Sequence, residues 1–164
     1  MDDIIERAAS GLRALFAHYT QDTRLLQLTT ALGDNQFLVE HIDGHEGLSE
    51  GYRFEITALS PDAHIDLASL LGQPALLQLL TQHSRTDLRP IHGHLTAIER
   101  TASDGGFARY HLILEPWTAF LRHRYDSYVW QHKSVLDIVQ DIFRDYQHNG
   151  QMAPAWRLAL ADPA

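Results

Sequence analysis

The sequence predicts an α+β fold, in which an antiparallel, barrel-like sheet of about six short strands is accompanied by two or three helices. In the middle of the chain, short runs of apolar residues alternate with polar ones, as in strands that are half-buried on a sheet. Turn residues at 33–35 and 103–106 separate these runs. Helical periods are strongest towards the two ends of the chain.

The first predicted elements are a helix and three strands. Residues 2–16 form an amphipathic helix with an acidic first turn, and the period becomes strand-like from residue 24. Two strands follow, at 26–32 and 36–42, and the turn at 33–35 is expected to join them in a β-hairpin. A third strand over 52–58 is apolar on one face and ends at the Ser-Pro-Asp that follows it.

The central segment contains a short helix and the strongest hairpin signal. Asp66 is a predicted N-cap of a helix that ends before Gly72, and residues 75–81 are apolar on both faces, which indicates a central strand. A polar loop is expected at 83–88. The next strand, 91–100, contains Gly93, which indicates a bulge or a close backbone approach, and the turn at 103–106 leads into a returning strand over 107–114.

The last part of the chain is mainly helical. Pro116-Trp117 opens a short helical turn, and the aromatic-rich residues 125–130 predict a further strand. The best helix begins at Ser134, which stands at capping-box spacing from Asp137, and the Asn-Gly pair at 149–150 is expected to end it.

Composition excludes several classes of function. The chain has 164 residues and no cysteine, which excludes disulfide scaffolds, thiolate metal sites and thiol nucleophiles. Its net charge of −8 argues against nonspecific nucleic-acid binding. We expect neither a membrane span nor a secretory signal peptide, because no apolar run has the required length and the N-terminus is acidic.

A metal centre is the main enzymatic alternative. His92 and His94 have the i, i+2 spacing that places two ligands on one face of a strand, and His41 or His45 could complete a three-ligand zinc site. Chance pairs are common among 11 histidines, so solvent-exposed turn and strand histidines are the favoured interpretation, and no metal or cofactor is expected. No nucleophile elbow or phosphate-binding glycine motif is present either, so no catalytic residue is predicted.

A series of short motifs in consistent order covers roughly residues 24–146. It comprises LVEH at 38–41, GxEGLS at 44–49, YRFEI at 52–56, LSPD at 59–62, LLGQPA at 70–75, IHGHLT at 91–96, SDGG at 103–106, YHLILEPW at 110–117, DS at 126–127 and WQHKSV at 130–135. Together these motifs resemble the N-terminal part of the VgrG proteins, the spike proteins of type VI secretion. The family-motif residues expected to be structural are Gly44, Glu46, Gly47, Leu48, Ser49, Phe54, Gly93, Asp104, Gly105, Gly106, Pro116 and Trp117.

The resemblance implies a structural protein similar to the hub of contractile phage tails. Such a hub is a homotrimer whose barrel-like domains form a pseudo-sixfold ring, which adapts the hexameric tube of haemolysin-coregulated protein to the threefold spike. Baseplate proteins are further implied partners, and effectors would attach through C-terminal parts. The implied location is the bacterial cytoplasm during assembly on the baseplate, followed by delivery outside the cell or into a target cell. No enzymatic activity is implied for this part.

The expected organisation follows from the same resemblance. Residues 1–22 are an N-terminal extension, 23–116 the first hub domain, and 117–164 a helical segment leading to a second hub domain. Gly44 and Gly47 are expected to be backbone turn points, and Leu48, Phe54, Ile56 and Leu112 to be buried. A hub of a phage tail or tailocin is the first alternative, and a metallohydrolase using His92 and His94 is the second.

Overall fold

A computed structural model describes residues 25–81, 84–103, 106–147, 156, 157 and 159, and for residues 84–86 it describes the backbone alone. The described residues form one six-stranded antiparallel sheet, which confirms the predicted fold class. Its spatial order is β1-β4-β5-β6-β3-β2. Among the helices in these ranges, none is long and apolar enough to cross a membrane.

The elements follow one another with short connections. The strands are β1 (Leu26–Thr29), β2 (Leu38–His45), β3 (Arg53–Ser60), β4 (Pro74–Thr81), β5 (Ser84–Ser103) and β6 (Ala108–Glu115). The helices are α1 (Leu67–Leu70), a 3₁₀ helix (Trp117–His123) and α2 (Val135–Gln147).

Strands β3 and β6 contribute alternate residues to the core, as their sequences predict. Every second residue of each strand is buried, and the two strands pair with Ile56 opposite Leu112. Such alternation is what a strand with one face on a core requires. Around this pair the ring of Phe37 packs edge-on against Tyr110, with centroids 5.4 Å apart. The prediction that Phe54, Ile56 and Leu112 are buried is confirmed.

The helix starts and stops predicted from sequence are confirmed where the structure describes them. The carboxylate of Asp66 accepts a hydrogen bond from the amide of Ala68 at the start of α1, and Gly72 beyond its end has a positive φ of 79°. Ser134 and Asp137 form the predicted capping box, in which each side chain accepts the other's backbone amide proton.

The predicted hairpin between the first two strands is wrong. Strand β1 pairs with β4, and β2 pairs with β3. Between β1 and β2 the chain makes a turn, in which the amide of Gly33 donates to the carbonyl of Thr30 at 2.9 Å. The alternating pattern identified the strands, but alternation carries no information about which neighbour a strand pairs with.

Two further predictions are wrong. The part of the expected polar loop at 84–88 belongs to β5, where Leu88 pairs with Leu80, so polar residues here occupy a strand. The expected strand at 125–130 has no strand partner among the described residues. The predicted helix at 2–16 and the helix stop at 149–150 lie outside the described residues.

The chain divides into two compact units, with the boundary after Leu121. Unit 1 contains the sheet, α1 and all of the buried hydrophobic residues among those described. Unit 2 contains α2 and the residues around it, and none of the residues of α2 is buried. The sequence-based division at 22 and 116 stays a prediction.

Candidate functional site

The candidate site is the loop of residues 46–52, called the β2–β3 loop below, which contains most of the GxEGLS motif. Strand pairing runs up to His45 opposite Arg53, so the loop starts where the ladder ends. Strand β5 is long enough to pass beside it, because β6 pairs with β5 only from His94 onwards. This leaves the stretch of β5 before His94 without β6 as a neighbour.

Two contacts attach the β2–β3 loop to this open stretch of β5. The carboxylate of Glu46 forms an ion pair with Arg89, and the hydroxyl of Tyr52 donates to the backbone carbonyl of His92. The Glu46 carboxylate raises the pKa of Arg89, and burial raises the pKa of the Tyr52 hydroxyl. Sequence reasoning left the role of Glu46 unexplained, because its partner lies 43 residues away.

Between these anchors the loop makes a tight turn. The amide of Glu50 donates to the carbonyl of Gly47 at 3.4 Å, and Ser49 has a left-handed φ of 62°. A positive φ is costly for a residue with a side chain and marks a backbone held by its surroundings. The turn leaves Leu48 97% exposed, so the prediction that Leu48 is buried is wrong.

Gly44 has a different role from the one predicted. It lies inside β2 opposite Phe54, not at a turn point. A Cβ at this position would overlap the ring of Phe54. Gly44 therefore provides the space in which this core ring sits.

The histidines do not converge on a metal site within the described residues. His41 lies on β2 opposite Thr57, whereas His92 and His94 lie on β5 opposite residues of β4. The rings of His92 and His94 are 6.1 Å apart, and no group of three or more His, Asp or Glu among the described residues could hold a metal. Burial lowers the pKa of His94, and the nearby His92 lowers that pKa further.

Charged side chains also link β3 to β5 and β6 near the end of the β2–β3 loop. Glu115 is buried, accepts a hydrogen bond from the hydroxyl of Thr96, and lies 3.7 Å from Arg53. Arg53 also pairs with Glu55 at 3.0 Å, and this contact is the main reason that the pKa of Glu55 is lowered. These contacts tie the start of β3, which follows the loop, to β5 and β6.

The other motif residues lie at connections. Gly93 sits so close to β6 that a Cβ there would lie 2.7 Å from the carbonyl oxygen of Glu115, which is the predicted close backbone approach. Pro116 accepts a hydrogen bond from Ala119 through its carbonyl, and Trp117 begins the 3₁₀ helix. Gly106 precedes β6, and Asp104 and Gly105 lie outside the described residues.

The exposed part of the loop is its most distinctive feature. The loop is tied to β5 by the Glu46–Arg89 ion pair and presents Leu48 to solvent between the carboxylates of Glu46 and Glu50. The curled antiparallel sheet with few helices is the architecture of phage tail hub proteins. The fold and the site therefore define a hub-type assembly domain.

The comparisons with known proteins identify the family. The sequence profile of the phage tail baseplate hub (GPD) family matches residues 45–164, and the chain belongs to this family. The resemblance to VgrG spike proteins that the motifs predicted is confirmed.

Relatives with this likeness occur in Pseudomonas aeruginosa. The type VI secretion system spike protein VgrG1b is 33% identical over 126 residues, which are 76% of this chain and 17% of that protein. VgrG5 is 30% identical over 146 residues, or 89% of this chain and 17% of that protein. The chain thus spans about a sixth of the length of these two relatives.

A solved structure gives the same result. The E. coli c3393 protein is described as a type VI secretion component structurally similar to the phage T4 tail proteins gp27 and gp5. It matches with a TM-score of 0.59 and 29% identity over 71% of this chain and 30% of that chain.

Proposed function

We propose that this chain is the first hub domain of a type VI secretion spike. In this function it trimerises and adapts the hexameric tube of haemolysin-coregulated protein to the threefold spike. The observation that carries the proposal is the family match over residues 45–164, together with the likeness to several VgrG spike proteins. The segment from residue 117 would lead to a second hub domain, and assembly would take place on the baseplate in the bacterial cytoplasm before delivery.

Within this function the β2–β3 loop is a contact surface. Its two anchors on β5 fix the loop before any partner arrives, which lowers the entropy cost of binding. Leu48 would enter an apolar socket on the partner, and Glu50 favours a socket edged by Lys or Arg. No catalytic step belongs to this proposal.

The proposal is tested with a full-length hub protein that carries this domain. Light scattering should give the mass of a trimer, and the purified protein should retain hexameric tube rings on a column. A monomer that retains no tube rings would exclude the adaptor function. Leu48→Ser in the same protein should weaken the retention of tube rings, and Leu71→Ser, a change at another exposed leucine, is its matched control.

A hub of a phage tail or tailocin is the second candidate, and the name of the matching family favours it. The chain would still join a tube to a spike, but it would do so in a phage tail or tailocin particle instead of a secretion apparatus. Neighbouring genes distinguish the two candidates, since sheath and tube genes with an ATPase indicate secretion, whereas tail-fibre and lysis genes indicate a particle.

A further inference from the structure

Glu115, the last residue of β6, is a buried carboxylate with no role in the function proposed above. It is 5% exposed, and no other charged side chain among the described residues is buried. Moving a carboxylate out of water is costly unless its negative charge has a compensating partner. The partners of Glu115 therefore show which part of the molecule its burial supports.

Two side chains on neighbouring strands approach the same oxygen of Glu115. The hydroxyl of Thr96 on β5 donates to Oε2, and Nη1 of Arg53 on β3 lies 3.7 Å from Oε2. Thr96 carries no charge, so Arg53 supplies a compensating charge. The strand register explains the contact, since Phe54 lies opposite Leu114 and the next pair across the ladder is Arg53 and Glu115.

Arg53 is also the residue at which the β2–β3 loop ends. It directly follows Tyr52, the last loop residue, and its backbone pairs with His45, the residue before the loop. The guanidinium of Arg53 bonds to Glu55 as well, at 3.0 Å from Nη2. Glu55 lies on β3 itself, so of these two carboxylates it is Glu115 that connects the end of the loop to another strand.

The backbone of Glu115 supports the end of the loop through β5. Gly93 on β5 packs so closely that a Cβ there would lie 2.7 Å from the carbonyl oxygen of Glu115. His92, the residue before Gly93, accepts the hydrogen bond of the Tyr52 hydroxyl through its carbonyl. Glu115 therefore contacts β3 at Arg53, and it contacts β5 beside the acceptor that holds Tyr52.

We propose that Glu115 is the positioning residue of the β2–β3 loop. Its buried carboxylate holds Arg53 against β6, and Arg53 in turn fixes the end of the loop, so that Leu48 is presented in one orientation. A loop held in this way loses less conformational entropy when a partner binds. The inference rests on the proposed function in treating this loop as a contact surface, and it adds the residue that sets the conformation of the loop.

A spin label on the loop tests this role. The chain has no cysteine, so Leu48→Cys provides a single labelling site, and Leu48 is 97% exposed, so the mobility of the label reports on the loop backbone. Glu115→Gln keeps the size of the side chain and an oxygen that can accept from Thr96, but it removes the charge. We expect this change to raise the mobility of the loop label severalfold and to leave the circular dichroism spectrum unchanged. A label at Leu71→Cys, an exposed position outside the loop, should keep its mobility.

An equally mobile loop label with and without Glu115→Gln overturns the proposal. An equal rise in mobility at residues 48 and 71 also overturns it, because a general loosening of the fold would then account for the effect.

Arg53→Gln is the second variant. It should raise the mobility of the loop label by itself, and adding Glu115→Gln should raise it no further, since both changes break the same contact. Additive effects would mean that Glu115 does not act through Arg53, and the proposal would fail. The combined variant leaves no buried charge without a partner, so it keeps the measurement usable if a single change prevents folding.

The retention of tube rings separates this inference from the proposed function. In a full-length hub, Glu115→Gln should weaken ring retention, as Leu48→Ser does. Equal retention by the variant and the unchanged hub would exclude the positioning role and leave the proposed function standing. Failure of the unchanged hub to retain rings would exclude the adaptor function, and the mobility of the loop label would still decide whether Glu115 positions the loop.

Discussion

At the scale of single residues, Gly44 on β2, Gly51 in the β2–β3 loop and Gly93 on β5 differ in the space around them. A Cβ at Gly51 would lie 3.7 Å from Pro116, an ordinary contact, whereas one at Gly44 would meet the ring of Phe54. At Gly93 the Cβ would meet the backbone carbonyl of Glu115. A ring can shift by a rotamer change, but a strand backbone cannot shift without breaking its ladder.

We therefore expect a graded series of stabilities. Gly51→Ala should leave the free energy of unfolding nearly unchanged, Gly44→Ala should lower it by about 1–3 kcal/mol, and Gly93→Ala should lower it further. Urea unfolding followed by circular dichroism measures the series. A Gly44→Ala chain as stable as Gly51→Ala would contradict the assigned role of Gly44.

A substitution at Leu48 should affect partner binding without affecting the stability of the fold. Because its side chain is 97% exposed, Leu48→Ser should change the free energy of unfolding by no more than about 0.5 kcal/mol. If the β2–β3 loop contacts the partner, the same change should weaken the retention of tube rings by a full-length hub. Leu71→Ser, at another exposed leucine, is the control for the ring-retention measurement. A strong loss of stability in Leu48→Ser would instead indicate that this leucine is buried in the folded chain.

His94 should make the stability of the domain depend on pH. Its folded pKa lies below the unfolded value because burial and His92 both disfavour the charged ring. The unfolded chain therefore binds the proton more readily, and stability is lost as the pH falls through about 6.5 towards the folded pKa. Among the described residues the buried Nδ1 of His94 has no hydrogen-bond partner, so a neutral ring of similar size should fit.

The measurement compares the wild type with His94→Phe by urea unfolding at pH 7.5 and 5.5. The wild type should lose more stability between these two pH values than the variant does. Histidines remote from this pair contribute equally to both chains, so the difference reports on His94 together with its interaction with His92. Equal losses in the two chains would show that His94 is readily protonated in the folded state.

At the scale of elements, the capping box of α2 is the clearest local signal. Ser134 and Asp137 exchange hydrogen bonds, and the contact with Ser134 lowers the pKa of Asp137. Ser134→Ala should therefore destabilise the helix by about 1 kcal/mol, seen as a loss of helical circular dichroism signal. Ser127→Ala, at an exposed position in the same unit, should leave the signal unchanged.

Element by element, the sequence predicts what is local and misses what is distant. The alternation in β3 and β6, the caps of α1 and α2, and the close approach at Gly93 all depend on neighbours in the chain or on a missing side chain, and all are confirmed. The pairing of β1 with β4 and the Glu46–Arg89 anchor depend on residues far apart in sequence. No periodicity encodes such contacts.

The two errors at Leu48 and at 125–130 have a common cause. Both segments carry residues typical of buried positions or strands, and both are exposed in the described chain. Patterns of hydrophobicity show that a side chain prefers a neighbour, but they do not show whether that neighbour lies in the same chain. Periodicity alone therefore could not predict that these two segments are exposed.

At the scale of the whole molecule, the two units differ in how much they bury. The buried hydrophobic residues of the described chain run from Leu28 to Leu114, and α2 contributes none of them. Helices of about 13 residues are only marginally stable without packing. The sheet should therefore open with the global free energy of unfolding, whereas α2 should open at a lower cost.

Hydrogen exchange by mass spectrometry measures this difference directly. In the isolated chain, peptides from α2 should exchange well before peptides from β3 and β6, because no residue of α2 is buried, whereas every second residue of these strands is. Equal exchange rates in α2 and in the two strands would contradict this order of opening.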